Sequence, residues 1–527
     1  MYKSVQKKHI LAAVDIGSYS VKLKIAETGP DGVIRKLEEA RRYLNLGRDT
    51  FMTGVIRNEQ AEELCGILKG FRTLMSEYGA DMQDIVATSA LREAGNRDYI
   101  LDRVYQRTGF KIRLISESEE RYYTYGSITD SLKEFPPLKQ EGVLIADVSS
   151  GGVEISLFSE GSLVFSQFVR IGSLRIKEIL GELERKTLNY PNLIGEYIES
   201  EMDALKILLK QEPIRNYIVI GSEILVLHEI LERKSRDYNR SYISKEGFYT
   251  LYNQTIKSTR QQISDKYDLT PDKVETLVPA MLMYEKFLGY TRAEIIYTPP
   301  VTLCDGLIRS MTDIEYDLDN GSICEKDIVS SVRMLGRRYL YDAPHSDFVE
   351  KISLRLFDGI KRLHGFSSRE RLLLQIASIA HDFGKFINAR SHNILSYDII
   401  LNSDILGLSK SDLKIIANII RYHSVNSSLT GEPDFKALDF ETRLKVSKLT
   451  ACLKLADAMD RSHRQKLRDV RVVLAEQSMT VRAETGQDAL LEEWEFERDA
   501  SLFEEVFGIK PALAIKRKER DRDSYEK

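Results

Sequence analysis

One short pattern occurs twice in this chain and constrains its fold more than any other feature. Residues 11–26 and residues 143–158 each contain an apolar run, an aspartate, a turn of small residues and a second, alternating run. Asp15 of the first copy aligns with Asp147 of the second. This order predicts strand, tight loop and strand in both places. Because a repeated unit frames the whole fold, we expect two equivalent hairpins that face each other as a two-jawed clamp.

The turns of both hairpins have the composition of a phosphate-binding loop. Glycines let the backbone approach an anion closely, and successive N–H groups in a turn cradle phosphate. Asp147 and Glu154 bracket the second turn and could hold Mg²⁺ or polarise a water molecule. An ordinary β-hairpin with a polar turn is the alternative. The predicted phosphate-binding residues are Asp15, Gly17, Ser18, Ser149, Ser150, Gly151 and Gly152.

Composition argues against several classes of protein. The chain has 527 residues, which favours roughly three to four domains. Its net charge of −4 gives no sign of a nucleic-acid or membrane partner. Four scattered cysteines without a close pair are typical of reduced thiols in a cytoplasmic protein. There is no run of about 18 apolar residues, and the apolar stretch after the basic start is too short for a signal peptide.

The spacing of apolar residues divides the chain into regions. Strands and helices alternate through residues 10–310 and predict two βββαβα-type halves with a cleft between them. An acidic, polar stretch over residues 313–330 predicts a linker, and residues 325–465 have a helical pattern. Strands at residues 470–474 and 479–483 precede one more helix, and the charged C-terminal end predicts a solvated terminus.

Two further segments point to a family. Residues 87–96 read A-T-S-A-L-R-E-A-G-N, and residues 115–121 read I-S-E-S-E-E-R. Together with the two hairpins, in this order and spacing, they resemble the exopolyphosphatase and guanosine pentaphosphate phosphohydrolase family. The resemblance implies an α/β fold: a duplicated actin-like, sugar-kinase-like (ASKHA) module, followed by an all-α HD-type domain and a small α+β tail domain. The implied domains are residues 1–125 and 126–311 for the two halves of the module, 312–466 for the HD-type domain and 467–527 for the tail.

The resemblance also assigns catalytic roles. The family's catalytic glutamate is the first Glu of a Ser-Gly-x-Glu-Glu-Ala segment, which places it at Glu119, although Arg121 stands where the family has Ala. A carboxylate there can accept the proton of an attacking water. Arg92 matches the family's cleft arginine, and a planar guanidinium suits phosphate. The alternative is that these side chains only decorate helix starts. The predicted catalytic residues are Glu119, Arg92, Asp147 and Glu154.

Both loops depart from the family pattern. The first has Tyr19 where a small amide is usual, and the second has serines at 149 and 150 where glycines are usual. If the family glycines use a positive φ, each serine costs on the order of 1 kcal/mol. We therefore expect the acids in place and the loop geometry altered, which leaves open a site that binds phosphate without hydrolysing it.

Six of the eight histidines fall between residues 345 and 463. An apolar helix ends in His-Asp at residues 381–382, with a histidine upstream and an aspartate downstream, in the order H…HD…D of HD phosphohydrolases. Two further histidines lie where dinuclear members have extra ligands. A mixture of imidazole and carboxylate suits Mn, Fe or Zn, and a metal pair generates hydroxide and clamps phosphate. The predicted metal ligands are His345, His381, Asp382, His392, His423 and Asp457, whereas His364 and His463 fit no ligand position.

The predicted function is release of terminal phosphate from inorganic polyphosphate, with Mg²⁺ at the cleft and a dinuclear pair of Mn, Fe or Zn in the HD-type domain. Guanosine pentaphosphate, which would link the chain to the stringent response, is the alternative substrate. A phosphate-ligand sensor coupled to a metal-dependent HD phosphohydrolase is the alternative function. A kinase-like or actin-like ATPase is disfavoured because only Gly221 resembles a double-glycine adenosine motif. The implied partners are polyphosphate or guanosine polyphosphate and a second copy of the chain in a cytoplasmic homodimer, with no nucleic acid and no membrane.

Overall fold

The structure is a computed structural model that describes residues 8–187, 189–211, 213–233, 241–318, 325–424, 429–476 and 478–517. The chain forms two compact units, Met1–Asp327 (unit 1) and Ile328–Lys527 (unit 2). Cys324, part of the predicted linker and the charged C-terminal end from residue 518 lie outside the described residues.

The first half of unit 1 is built on a five-stranded sheet in the spatial order β3-β2-β1-β4-β5. The strands are β1 (His9–Ile16), β2 (Ser20–Thr28), β3 (Ile34–Tyr43), β4 (Met82–Ala87) and β5 (Arg113–Leu114). The helices are α1 (Leu46–Thr53), α2 (Asn58–Glu77), α3 (Ser89–Glu93), α4 (Arg97–Thr108) and α5 (Glu117–Ser131). The first three strands form the predicted antiparallel meander, and β4 runs parallel to β1.

The second half of unit 1 repeats this topology in a six-stranded sheet of order β10-β11-β9-β6-β7-β8. The strands are β6 (Val143–Val148), β7 (Val153–Ser159), β8 (Ser162–Val169), β9 (Asn216–Gly221), β10 (Tyr242–Ser244) and β11 (Ile295–Tyr297). The helices are α6 (Phe135–Glu141), α7 (Ser173–Leu180), a 3-10 helix (Gly181–Lys186), α8 (Tyr190–Glu201), α9 (Asp203–Gln211), α10 (Ser222–Glu232), α11 (Lys245–Ile256), α12 (Arg260–Tyr267), α13 (Pro271–Leu288) and α14 (Leu303–Tyr316).

The register of the two hairpins confirms that they are equivalent. Asp15 pairs with Lys22 across β1 and β2, and Asp147 pairs with Glu154 across β6 and β7. In both halves the strand that carries the aspartate is also flanked by a parallel strand, β4 or β9. Parallel neighbouring strands end at the same edge of a sheet. Asp15, at the end of β1, therefore lies near the turn that follows β4, and Asp147, at the end of β6, lies near the turn that follows β9.

The strand β1 is buried on both faces, which explains its nearly continuous apolar sequence. Ala12, Val14 and Ile16 belong to a core shared with α2 and α4. Leu11 and Ala13, on the opposite face, pack in a second core with apolar residues of α14. The aspartate at the end of β1 is therefore held on a strand with little freedom to move.

Unit 2 is helical over most of its length and ends in a small three-stranded sheet of order β12-β13-β14. Its helices begin with α15 (Glu325–Arg338), α16 (Ala343–Gly359), α17 (Lys361–His364), α18 (Ser368–Ala380), a 3-10 helix (Phe383–Phe386), α19 (His392–Leu401) and α20 (Lys410–Tyr422). A 3-10 helix (Leu429–Gly431), α21 (Pro433–Lys436), α22 (Phe440–Ala458), β12 (Arg468–Leu474), β13 (Met479–Thr485), α23 (Leu490–Phe507) and β14 (Pro511–Arg517) follow. Across the described residues of both units, no helix is long and apolar enough to cross a membrane.

Candidate functional site

The first hairpin loop, residues 17–19, has its carbonyl groups tied to neighbouring backbone. The N–H of Gly47 donates to the carbonyl of Ser18 at 2.7 Å, and the N–H of Leu44 donates to the carbonyl of Tyr19 at 3.1 Å. Among the described residues, the N–H of Ser18 has no protein acceptor. The loop lines a cleft between the two halves of unit 1. An N–H group left over in such a turn is a binding position for an anion.

The second hairpin loop, residues 149–152, is held in the same way by α7. The N–H of Ser173 donates to the carbonyl of Ser149 at 3.1 Å. Arg175 donates twice, from its N–H to the carbonyl of Ser150 at 3.1 Å and from Nε to the carbonyl of Gly151 at 2.7 Å. In the part of the chain that the structure describes, the N–H groups of Ser150 and Gly151 have no protein acceptor. Both loops therefore combine N–H groups without a protein acceptor with carbonyls that are mostly bonded elsewhere, which is the arrangement that suits an anion in the cleft.

Crowding, and not backbone angle, requires the two glycines of the second loop. A Cβ on Gly151 would lie 2.2 Å from Oγ of Ser89, and a Cβ on Gly152 would lie 2.1 Å from the ring of Phe168. Neither glycine has a positive φ, and neither does either of the two serines before them. The expected cost of serine at residues 149 and 150 therefore does not arise, because that cost belongs to a positive φ.

The segment A-T-S-A-L-R-E-A-G-N brings a third group of polar atoms to the loops. Its Ser89, at the start of α3, shares a buried hydrogen bond of 2.7 Å with Ser18 through their hydroxyl oxygens. The N–H of Thr88 donates to the carbonyl of Ile16 at 3.2 Å. Polar residues that line the cleft are Asp15, Ser18, Tyr19, Ser20, Lys22, Glu39, Arg41, Thr88, Ser89, Glu120, Thr124, Asp147, Ser149, Ser150, Ser222 and Thr302.

Four acids line this cleft, Asp15, Glu39, Glu120 and Asp147, and burial raises the pKa of two of them. Burial, opposed by Arg92 and reinforced by the charges of Asp147 and Asp15, raises the pKa of Glu120 to about 7. Burial also raises the pKa of Asp147 to about 6, against the lowering effect of Lys22. Glu120 retains 28% exposure of its side chain. A carboxyl group with such a pKa, open to a cleft, is able to exchange a proton near neutral pH.

Glu119 does not line the cleft. Its Oε2 accepts hydrogen bonds from the backbone N–H and the hydroxyl of Ser116 at 3.0 and 2.9 Å, which makes it the third-residue partner in the capping box of α5. Its Oε1 lies 3.3 Å from Nη1 of Arg113. Arg92 lies behind Glu120: its Nη1 is 3.7 Å from Oε2 of Glu120 and donates to the carbonyl of Ile115 at 2.7 Å.

Glu154 is paired with a buried arginine, Arg121. Nη1 of Arg121, whose side chain is 2% exposed, donates to Oε1 of Glu154 at 2.7 Å and to the hydroxyl of Ser166 at 2.7 Å. That same hydroxyl donates to Oε1 of Glu154 at 3.1 Å. Glu154 is not among the residues that line the cleft. The arginine that replaces the family's alanine thus compensates the glutamate in the second hairpin.

The cleft acids fit Mg²⁺ in part. Oδ1 of Asp15 is buried and has no hydrogen-bond partner, and Oδ2 lies 3.3 Å from Nζ of Lys22. Mg²⁺ usually binds through one or two carboxylates together with phosphate oxygens and waters. Asp15 and Asp147 meet this requirement, whereas Glu154 is engaged by Arg121. Among the described residues, groups of three candidate ligand atoms within 4.8 Å of one another are found only in unit 2.

Unit 2 brings three predicted ligands into a tight triangle. Nε2 of His345 lies 3.2 Å from Nε2 of His381 and 3.2 Å from Oδ1 of Asp457. Nε2 of His381 lies 3.5 Å from the same carboxylate oxygen. Ligands about 2.1 Å from a metal ion in a tetrahedral arrangement lie about 3.4 Å apart. The triangle therefore has the dimensions of one face of a coordination shell.

The outer nitrogens of these histidines fix which ring nitrogen faces inward. Nδ1 of His381, His392 and His423 each lies against the backbone carbonyl three residues earlier. Nδ1 of His345 lies 2.9 Å from a carboxylate oxygen of Asp460. Carbonyl and carboxylate oxygens only accept hydrogen bonds, so Nδ1 of each ring carries a proton and Nε2 is the nitrogen left to bind a metal ion. Although burial opposes the shift, the carboxylates of Asp457 and Asp460 raise the pKa of His345 to about 9 when no metal is bound, so a bound metal ion would displace the proton from its Nε2.

Asp382 lies between this triangle and a second pair of histidines. Its Oδ2 is 3.5 Å from Nε2 of His381, and its Oδ1 is 3.6 Å from Nε2 of His392. Nε2 of His392 is in turn 3.3 Å from Nε2 of His423. Burial and the nearby His381 lower the pKa of His423 to about 3, which keeps this ring neutral and able to bind metal. The donor set fits two cations bridged by Asp382.

Asp460 and Lys385, which the sequence did not single out, join this cluster, and so does His463, which was expected to fit no ligand position but has a ring nitrogen within 4.8 Å of candidate ligand atoms of His345 and Asp382. Asp460 holds His345, the ring of His463 stacks on that of His345 with centroids 3.7 Å apart, and Lys385 contacts both Asp382 and His463. Asp460 lies three residues after a predicted ligand, a spacing that places both on one face of a helical turn and could have revealed it. By contrast, His364 bonds to the carbonyl of Phe357 at 2.9 Å and stacks on its ring, as expected of a structural histidine.

Two halves of repeated topology around a cleft define the class of unit 1, the duplicated actin-like and sugar-kinase-like fold. Residues 25–315 match the model of the Ppx/GppA phosphatase family, and residues 329–500 match that of Ppx/GppA phosphatase, domain III. The chain therefore belongs to the Ppx/GppA phosphatase family. Phosphatases of this family generally depend on a divalent metal.

Similar proteins include two curated relatives and one solved structure. A guanosine-5'-triphosphate,3'-diphosphate pyrophosphatase of Pseudoalteromonas translucida is 20% identical over 79% of this chain and 81% of its own length. A bifunctional 3-dehydroquinate synthase/phosphatase of Fusobacterium nucleatum is 28% identical over 34% of this chain, and the match spans only 27% of that relative. An exopolyphosphatase of Cytophaga hutchinsonii superimposes with a TM-score of 0.52 at 18% identity, over 58% of this chain and 98% of its own. This likeness supports the fold.

Proposed function

We propose that the cleft of unit 1 hydrolyses the terminal phosphoanhydride bond of a phosphate chain, with inorganic polyphosphate as the main substrate and guanosine pentaphosphate as the alternative. One observation above all supports this proposal: Glu120, with a pKa of about 7, opens into the same cleft as the N–H groups of both loops. A carboxyl group with a pKa near the working pH is well suited to take a proton from water. The names of a pyrophosphatase relative and of an exopolyphosphatase structure agree with a substrate of this class.

Each group of the cleft has a distinct task in this proposal. The N–H groups of Ser150 and Gly151 hold the terminal phosphate, and Lys22 offsets its charge. Glu120 accepts a proton from a water molecule as the water oxygen bonds to the terminal phosphorus and the bridging P–O bond breaks. The electron pair of that bond stays on the shortened phosphate chain. Asp15 and Asp147 would together hold Mg²⁺, which would neutralise more of the phosphate charge.

The proposal assigns the catalytic base to Glu120, one residue after the position implied by the family motif. Glu119 is committed to the capping box and to Arg113, so its carboxylate is not directed at the cleft. Glu154 serves as the partner of Arg121 and not as a ligand of metal or water. Arg92 supports Glu120 from behind and does not contact phosphate directly.

Phosphate release from polyphosphate and from guanosine pentaphosphate tests this assignment. We expect Glu120→Gln to lower kcat at least 100-fold, since positioned proton transfer contributes roughly 10²–10⁴-fold. The neighbouring Glu119→Gln is the matched control and should retain activity within about threefold, because glutamine also completes a capping box. Loss of activity in Glu119→Gln with retention in Glu120→Gln would return the role to Glu119. Tight binding of polyphosphate by the wild type without phosphate release would favour the sensor function.

We also propose a second function, a metal-dependent phosphohydrolase of the HD type in unit 2. The inward-facing Nε2 atoms of four histidines, with Asp382 between two groups of them, favour a dinuclear centre. Such a metal pair would lower the pKa of a bound water and orient a phosphate ester. His345, His381 and Asp457 would hold one ion, His392 and His423 the other. Mn, Fe or Zn suits this donor set.

Metal content measured on purified variants tests the dinuclear centre. We expect two transition-metal ions per chain in the wild type, one in His423→Ala, and none in Asp382→Ala, since this carboxylate bridges the two groups. His364→Ala should keep both ions because the ring of His364 bonds to the carbonyl of Phe357 and the N–H of Phe366, neither of which is a proposed ligand. Mn²⁺-dependent hydrolysis of p-nitrophenyl phosphate should follow metal content. Equal metal content in Asp382→Ala and the wild type would rule out the proposed ligand set.

A further inference from the structure

One arginine outside the cleft lining contacts both halves of unit 1. The side chain of Arg175, on α7, is 10% exposed. Its Nε donates to the carbonyl of Gly151 in the second loop at 2.7 Å. Its Nη2 donates to Oε1 of Glu93, in the first half, at 2.7 Å. Its guanidinium lies 3.9 Å from the ring centroid of Phe51, also in the first half. The side chain of Arg175 therefore links the second loop directly to residues of the first half of unit 1.

The backbone around Arg175 is adapted to the same loop. Gly172, at the start of α7, approaches so closely that a Cβ would lie 2.2 Å from the carbonyl oxygen of Ser150. Its φ is −64°, so close approach and not backbone angle calls for glycine here. This approach lets α7 receive three consecutive carbonyls of the second loop, from residues 149 to 151.

Hydrogen bonds from α7 to three loop carbonyls also fix the orientation of the peptide groups to which those carbonyls belong. The carbonyls of Ser149 and Ser150 share planar peptide groups with the N–H groups of Ser150 and Gly151, so their bonds to the backbone of α7 fix the direction of these two N–H groups. The carbonyl of Gly151 is held by a side chain, whereas the other two are held by backbone N–H groups. A neutral or shorter side chain at residue 175 would free this carbonyl to rotate toward the cleft, where its negative end repels phosphate.

We propose that Arg175 is a positioning residue for phosphate binding: its guanidinium keeps the carbonyl of Gly151 turned away from the phosphate and, through Glu93 and Phe51, makes that orientation depend on the first half being in place. This role rests on the proposed function of the cleft. Arg175 does not touch the substrate. It acts through the peptide group of Gly151.

Equilibrium binding of tripolyphosphate, measured by calorimetry in a Glu120→Gln background to prevent turnover, tests this role. Adding Arg175→Gln should weaken binding at least tenfold, because the Gly151 carbonyl loses its charged donor. Arg175→Lys keeps a charge but cannot reach Gly151 and Glu93 together, so we expect a three- to tenfold loss. Glu93→Gln leaves the bond to Gly151 intact and should cost about two- to threefold. Arg170→Gln, at an exposed arginine five residues earlier, is the matched control and should bind as the parent does.

A purely structural role would give a different pattern. It would lower the melting temperature of Arg175→Gln while leaving the affinity and the rise in melting temperature caused by tripolyphosphate unchanged, and this result would overturn the inference. If Arg175→Gln does not fold, unchanged affinity in Arg175→Lys overturns it equally. Absence of tripolyphosphate binding in the Glu120→Gln parent and in the wild type would instead overturn the proposed function of the cleft, and the inference with it.

Discussion

At the scale of residues, the adjacent glutamates of α5 have separate tasks. Side chains one position apart on a helix point in directions about 100° apart, so they cannot both face the same cleft. Glu119 completes the capping box with Ser116, and Glu120 faces Asp147 and Asp15. The sequence contained the signal for this division, because Ser-x-x-Glu at a helix start is the capping-box pattern. The family motif names the Glu-Glu pair, and the capping box identifies which member of the pair is engaged elsewhere.

The raised pKa of Glu120 predicts how unfolding depends on pH. The pKa is about 7 in the folded protein and 4.5 in a model compound, so the folded state binds this proton more tightly. The contribution of the protonated carboxyl to stability is present below pH 4.5 and is lost as the pH rises through 7. A shift of this size corresponds to about 3 kcal/mol at most. Because glutamine does not titrate, the melting temperature of Glu120→Gln should rise relative to the wild type between pH 5 and pH 8.

The same group predicts the pH dependence of activity. Only the carboxylate form of Glu120 can accept a proton, so kcat/KM for polyphosphate should fall as the pH drops below about 7. Glu119→Gln, measured alongside, should retain this profile. A melting-temperature difference between Glu120→Gln and the wild type that stays constant with pH, together with a flat kcat/KM from pH 5.5 to pH 8, would contradict the raised pKa.

At the scale of elements, the repeated hairpins were the most predictable part of the fold. Alternating apolar residues on either side of an aspartate predicted β1, β2, β6 and β7, and the structure confirms that they form two equivalent antiparallel pairs. Apolar residues at spacings of three and four over residues 64–74 are typical of a helix and fall on α2, and Gly109, with a φ of 72°, ends α4 as a C-terminal glycine does. These elements have strong local signals, periodicity and an end-capping residue, that tertiary contacts do not override.

Elements that depend on partners far along the chain were predicted less well. Residues 110–115 have the alternating apolar pattern of a strand, but only Arg113–Leu114 form β5, because just these two residues pair with β4. The strand β14 was not predicted, since its sequence adjoins a run of charges and its pairing partner β13 lies over 20 residues earlier. Pairing partners of this kind leave no periodic trace in the strand itself.

The candidate sites were predictable in composition and not in contacts. The sequence indicated acids and small residues that line the cleft and six candidate metal ligands in unit 2. It did not indicate the ion pair of Arg121 with Glu154. An arginine in place of the family's alanine can be read from the sequence, but the carboxylate with which it pairs cannot. The role of α7 behind the second loop was equally hidden. Gly172 must be glycine because a Cβ at this residue would lie 2.2 Å from the carbonyl oxygen of Ser150. Such a close approach is visible only in the folded chain.

At the scale of the whole molecule, each candidate site is contained within one unit. All residues that line the cleft belong to unit 1, and all proposed metal ligands belong to unit 2. Each unit also has a core of its own, since a sheet of unit 1 is covered by helices of unit 1 and α16, α18, α20 and α22 of unit 2 pack on one another. Two such sites, each preorganised by its own unit, should support two separable activities.

Measuring each inactivating substitution in the assay of the other unit tests whether the two activities are separable. Asp382→Ala, which removes the bridging carboxylate of unit 2, should leave phosphate release from polyphosphate within about twofold of the wild type, provided Mg²⁺ is supplied. Glu120→Gln should in turn keep the full transition-metal content and the Mn²⁺-dependent hydrolysis of p-nitrophenyl phosphate. The physical reason is that additivity holds for sites that share no partners. Loss of polyphosphate hydrolysis in Asp382→Ala, with the melting temperature unchanged, would instead show that metal binding in unit 2 controls the cleft, which is the behaviour expected of a sensor coupled to a second enzyme.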